Sequence, residues 1–81
     1  HTDIVNRARQ MIRETLEDGK TIQEIAMLLG MSYSNFRKIF KEFTGFSPSM
    51  YQQDLKLQRA KDLLATTDMT IKEIAYQLNF E

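Results

Sequence analysis

Apolar residues recur along this chain at spacings of three and four, the signature of helices that each bury one face. Ile4, Val5, Ala8, Met11, Ile12 and Leu16 form a first stripe, closed by Asp18-Gly19. A second helix opens at Thr21-Ile-Gln-Glu24, where the threonine hydroxyl can accept a backbone N–H while the glutamate reaches back to the cap. It carries Ile22, Ile25, Ala26 and Leu29 inward and stops at Gly30. Ser32 caps a third helix, with Phe36, Ile39, Phe40 and Phe43 as its buried stripe. Thr44-Gly45 ends that helix, glycine entering the left-handed region that closes many helices.

Ser47-Pro48 restarts the chain, since the N–H that proline lacks would be unpaired in a first helical turn anyway. From Ser49 to about Ala65 the pattern predicts one long helix, burying Met50, Tyr51, Leu55, Leu57, Ala60, Leu63 and Leu64 against different neighbours. Thr66-Thr67-Asp68 breaks it. Thr70-Ile-Lys-Glu73 is then a second capping box, with Ile71, Ile74, Ala75 and Leu78 behind it. The five methionines read as core filling, and Tyr51 and Tyr76 as packing residues. No alternating β-branched stretch competes, so the predicted fold class is all-α.

The two capping boxes belong to a repeat. At an offset of 49, Thr21, Ile22, Glu24, Ile25, Ala26 and Leu29 coincide with Thr70, Ile71, Glu73, Ile74, Ala75 and Leu78. In the first copy a short helix ends at Gly30 and the next begins two or three residues later. Two helices meet at so tight a turn only if the residue facing the partner is small, hence Ala26, and if the turn tolerates positive φ, hence Gly30. The next helix packs back through Phe36 and Ile39. That is a helix-turn-helix, whose second helix is free to enter a DNA major groove. In the second copy Ala75 is the small residue and Asn79 stands at the turn, the non-glycine residue that best tolerates the left-handed region.

Composition removes most other chemistry. The 81 residues hold no cysteine, excluding disulfides, thiolate metal sites and cysteine catalysis. His1 is the single histidine and reads as a remnant at the chain end rather than a ligand. No apolar run approaches the ~20 residues of a membrane span, and a cytoplasmic protein is expected. No paired carboxylates, nucleophile–base set or phosphate loop can be assembled, so no enzyme, cofactor or metal is expected. The formal net charge is +0, but unevenly spread: residues 1–32 sum to −1, residues 33–61 to +4 and residues 62–81 to −3. The middle third carries Arg37, Lys38, Lys41, Lys56, Arg59 and Lys61 against Glu42 and Asp54. A patch, more than a total, attracts a phosphate backbone; a solvated helix face is the alternative reading of the same charges.

Three stretches resemble the DNA-binding domain of the AraC/XylS family of bacterial transcription regulators. Ile25-Ala26 through Ser32-Tyr33-Ser34-Asn35-Phe36-Arg37-Lys38-Ile39-Phe40-Lys41 is similar to its first helix-turn-helix. Thr44-Gly45-Phe46-Ser47-Pro48-Ser49-Met50-Tyr51 is similar to its link into a central helix. Leu57-Gln58-Arg59-Ala60-Lys61-Asp62-Leu63-Leu64, with Ile71 to Phe80, resembles that helix and the opening of a second unit. The family usually has arginine where Lys38 and Lys56 stand, which keeps the charge but loses a bidentate fork. The resemblance implies one domain over residues 1–81: a first unit over 1–46, a connecting helix over 47–66 and the start of a second, incomplete unit over 67–81. These are homeodomain-like helical units. Adding the offset of 49 carries Ser32 to Glu81, so about 20 residues of the second copy, its recognition helix included, are expected beyond this chain. Ile74, Leu78 and Phe80 are then expected to be partly uncovered.

The resemblance further implies sequence-specific binding of double-stranded DNA by the helix after Ser32. Ser34, Arg37 and Lys38 would meet base edges, and Tyr33, Asn35, Lys41 and Thr21 the backbone or groove edge. Arg59 is equally able to pair with Asp62 or Asp54. The family context implies RNA polymerase as a partner and a sensor, effector-binding or receiver portion N-terminal in the parent chain. The alternative function is a protein–protein interaction module that keeps the helix-turn-helix shape without binding DNA.

Overall fold

The stripes and caps resolve into five helices, with no strand among the described residues. The computed structural model describes residues 2–80; His1, read as a remnant, and Glu81, the repeat partner of Ser32, lie outside the described residues. In chain order the helices are α1 (Thr2–Glu14), α2 (Ile22–Leu28), α3 (Tyr33–Thr44), α4 (Pro48–Thr66) and α5 (Ile71–Gln77). Both capping boxes form as expected at Thr21–Glu24 and Thr70–Glu73. Ser32 and Ser47 cap α3 and α4 through their side-chain oxygens, and Pro48 sits in the first turn of α4.

The repeat extends to the turns. Gly30 (φ 72°) and Asn79 (φ 59°) both take the left-handed conformation. The Met31 amide then donates to the Ala26 carbonyl at 3.0 Å, as the Phe80 amide does to Ala75 at 2.9 Å. This six-residue closure satisfies a carbonyl that the helix end would otherwise orphan.

Two cores result. The larger joins Val5, Ala8 and Ile12 of α1, Ile22, Ile25 and Ala26 of α2, and Phe36 and Phe40 of α3. The Phe36 and Phe40 rings lie 5.8 Å apart, and Tyr51 meets Phe40 edge-on at 5.4 Å, which docks α4 onto the first unit. The smaller core is Leu63 of α4 with Ile74 and Leu78, flanked by Ala60, Met69 and Phe80. The molecule is elongated, 41 × 20 × 17 Å, with α4 running from one core to the other.

Several burial expectations are corrected. Ile74 and Leu78 are buried, because Leu63 of α4 packs on them with Ala60, Met69 and Phe80 around; Phe80 is the partly covered one. The open surface lies instead at Leu57 (54% exposed), Leu64 (51%) and Ile71 (74%), none of which joins the smaller core. Ile22, the repeat partner of Ile71, is buried because α2 packs between α1 and α3. Phe43 is half-exposed, one turn beyond the reach of the core that covers Phe36 and Phe40. Met27 and Met50 are exposed, on helix faces turned from both cores, so only Met11, Met31 and Met69 help fill them. Tyr76 is 88% exposed and is no packing residue.

Candidate functional site

The first unit fixes α3 in a defined orientation. Buried Phe36 and Phe40 hold one side of the helix against α1 and α2, so the opposite side is directed outward. The Ser32 hydroxyl accepts the Asn35 amide at 3.3 Å and sets where the helix begins. Tyr33, Ser34 and Asn35 occupy the first turn, followed by Arg37, Lys38 and Lys41, and all six are exposed. Ser34, Arg37, Lys38 and Lys41 stand three, four and seven residues apart, which places them on one face. The expected site residues on α3 are thus brought together.

Thr21 stands apart from them, exposed at the start of α2. Its hydroxyl accepts the Glu24 amide at 3.1 Å and donates to the Glu24 carboxylate at 3.1 Å. The hydroxyl is therefore engaged in the cap, as are the Thr21 and Glu24 amides.

The charge pattern is sharper than the sequence suggested. Among the described residues Arg37, Lys38 and Lys41 make no ion pair. Arg59 pairs with neither Asp54 nor Asp62; its Nε lies 3.7 Å from Glu17. The α4 backbone points Arg59 at the segment between α1 and α2, which brings Glu17 closer. Lys56 leaves the surface patch altogether, for it is buried with its ammonium 3.2 Å from the Asn79 carbonyl. Of the six cations of the middle third, the three on α3 stay exposed without an ion pair, with Lys61 exposed further along α4; among the described residues Arg7, Arg9 and Arg13 of α1 make no ion pair either.

The burial of Lys56 runs against the sequence expectation, which buries only apolar positions of α4 and counts Lys56 in the basic cluster. A signal was present. Lys56 falls eight residues after Pro48 and seven before Leu63, on the stripe that the fold buries.

An exposed row of arginine and lysine on a rigidly backed helix can neutralise phosphates and present a guanidinium fork to a base edge. No helix among the described residues is long and apolar enough to cross a membrane.

Residues 25–81 match a family model described as a helix-turn-helix domain. The chain is 31% identical over 70 residues to the HTH-type transcriptional regulator GbdR of Pseudomonas aeruginosa, covering 86% of this chain and 19% of that protein. It is 32% identical over 81 residues to the uncharacterized HTH-type transcriptional regulator YtdP of Bacillus subtilis, covering 100% of this chain and 10% of that protein. The HTH-type transcriptional activator Btr of Bacillus subtilis is 30% identical over 69 residues, covering 84% of this chain and 13% of that protein. The chain thus spans less than a fifth of the length of each of these relatives. No solved structure matches.

Proposed function

The chain belongs to the AraC-type helix-turn-helix family of transcription regulators, and from that premise we propose that it binds double-stranded DNA sequence-specifically, with α3 in the major groove. The observation that carries this reading is the unpaired row of Arg37, Lys38 and Lys41 on the face of α3 opposite Phe36 and Phe40. The Arg37 fork suits the O6 and N7 acceptors of guanine, with Ser34 and Lys38 beside it on base edges. Tyr33 and Asn35 line the groove edge. Lys41 and the α2 start at Thr21 meet phosphates, and α2 crosses the backbone as the first helix of such a unit does. The second unit begins at α5, and a long axis of 41 Å lets the two units face groove segments ~34 Å apart.

The wider reading is that of a cytoplasmic regulator and not an enzyme. Its sensing would lie in an effector-binding, sensor or receiver portion N-terminal to this domain, and its output would reach RNA polymerase.

The test is equilibrium binding to duplexes selected from a random pool, compared with scrambled duplexes at two salt concentrations. Specific retention that weakens steeply with salt supports the proposal. Absence of binding to any duplex at any salt would instead favour a protein-binding module of the same shape.

A further inference from the structure

α4 serves both units, and near its midpoint stands a lysine that neither core explains. Lys56 is 9% exposed, the one buried charged side chain among the described residues. Its ammonium donates to the Asn79 carbonyl at 3.2 Å and lies 5.7 Å from the centre of the Phe80 ring. Asn79 is the left-handed residue that closes α5, so this carbonyl belongs to a helix C-terminal turn, where a cation is favoured.

The side chain of Asn79 reaches the other way. Its Nδ2 donates to the Leu16 carbonyl at 3.5 Å, in the segment between α1 and α2. Gly19 of the same segment passes so close that a Cβ there would sit 3.4 Å from Asn79 Oδ1. Beside this contact Gln77 donates to Glu17 at 3.1 Å, and Glu17 also pairs with Arg59. The first unit thus meets the turn after α5 through directional polar bonds, and Asn79 is the bridge: Lys56 holds its carbonyl and Leu16 accepts from its amide.

A buried charge is a poor way to gain cohesion, since an apolar side chain of similar volume holds packed surfaces at least as well. What a hydrogen-bonded ammonium adds is geometry, because its bonds break when the partner rotates whereas apolar surfaces slide. We propose that Lys56 is a positioning residue for DNA recognition: through Asn79 it locks the second unit against the α1–α2 segment, and so fixes where α5 meets the phosphate backbone relative to the groove read by α3. This rests on the DNA-binding reading above. In that reading α5 crosses the backbone as α2 does, with Thr70 and Lys72 among the exposed residues at its start.

Two measurements test it, one without DNA. Amide residual dipolar couplings are collected for the free protein and fitted separately for the first unit and for residues 60–79. A single alignment tensor is expected to fit both sets in the wild type and in Lys56→Arg, which keeps the donor. Two tensors are expected in Lys56→Met, which keeps the apolar stem and removes the charge. Asn79→Gly keeps the left-handed turn and cuts the Leu16 tie; it should also need two tensors, and it decides the matter if Lys56→Met does not fold. One shared tensor in the folded variants would overturn the lock.

The second measurement is hydroxyl-radical footprinting on a duplex selected by the wild type. Two protected backbone stretches are expected. Lys56→Met should keep the α3 stretch and weaken the other by about tenfold, the effect of losing one charge-assisted hydrogen bond, with recovery in Lys56→Arg. Full protection of both stretches in Lys56→Met would overturn the positioning role. Failure of the wild type to retain any duplex would sink the DNA reading and with it the backbone placement, while the couplings would still show whether Lys56 sets the angle.

Discussion

Arg37 and Phe40 share α3, but Arg37 stands at the flank of the buried stripe and is exposed, while Phe40 is fully buried. Their alanine variants should therefore fail differently. Arg37→Ala removes a solvent-facing fork, so its thermal melt should match the wild type. Its specific DNA binding should weaken by ~1–3 kcal/mol, with relaxed preference at one base position. Unchanged affinity in a binding titration would remove Arg37 from the site. Phe40→Ala deletes a ring packed on Phe36 and Tyr51, and chemical denaturation should show a loss of ~3–5 kcal/mol. A wild-type denaturation midpoint would contradict the burial. The orientation of both residues was legible in the sequence, because Phe40 repeats the three- and four-residue stripe of Phe36 and Ile39 while Arg37, one residue after Phe36, falls beside it. Phe43 continues the same period, yet it is half-exposed. Phase alone cannot tell where the covering helices stop.

At the scale of the element, the capping boxes show how far local chemistry reaches. The Thr70 backbone N–H, donating at 3.0 Å, and then the Thr70 hydroxyl hold the Glu73 carboxyl below its ordinary value. A group depressed in this way supports the folded helix start above the unfolded carboxylate pKa of ~4.3, and the support is lost as pH falls through the lower folded value. The Thr70 amide resonance should accordingly shift on acidification below about pH 4. In Glu73→Gln it should stay flat, and an acid-induced shift there of wild-type size would show that another group reports. The cap of the long helix offers a second check. Ser47 accepts the Met50 amide at 3.2 Å, and Ser47→Ala should cost ~1 kcal/mol by denaturation. No change would mean that Pro48 and the packing of Tyr51 suffice to start α4. The repeat was legible because each copy is built from contacts within six residues, which the sequence states directly.

At the scale of the whole molecule, phosphate attraction depends on which cations remain free once the fold has paired or buried the others. Lys41 is exposed and unpaired, so Lys41→Ala should weaken binding to all duplexes alike and reduce the log–log salt slope by about 1. A slope equal to that of the wild type would place Lys41 off the backbone. The sequence treated Lys56 and Arg59 as members of the same basic cluster, yet Lys56 is buried on Asn79 and Arg59 turns to Glu17. Their partners lie more than twenty residues away along the chain, and nothing in local spacing points to them. By itself the sequence determined the helices, their caps, the left-handed turns at Gly30 and Asn79, and the buried faces of α2 and α3, because each rests on interactions between residues close in the chain. Only the tertiary structure decided that Ile71, Leu57 and Leu64 are open while Ile22 is covered, and that a buried lysine holds the turn after α5. Burial and charge pairing depend on what lies opposite a helix face, and that is set by packing.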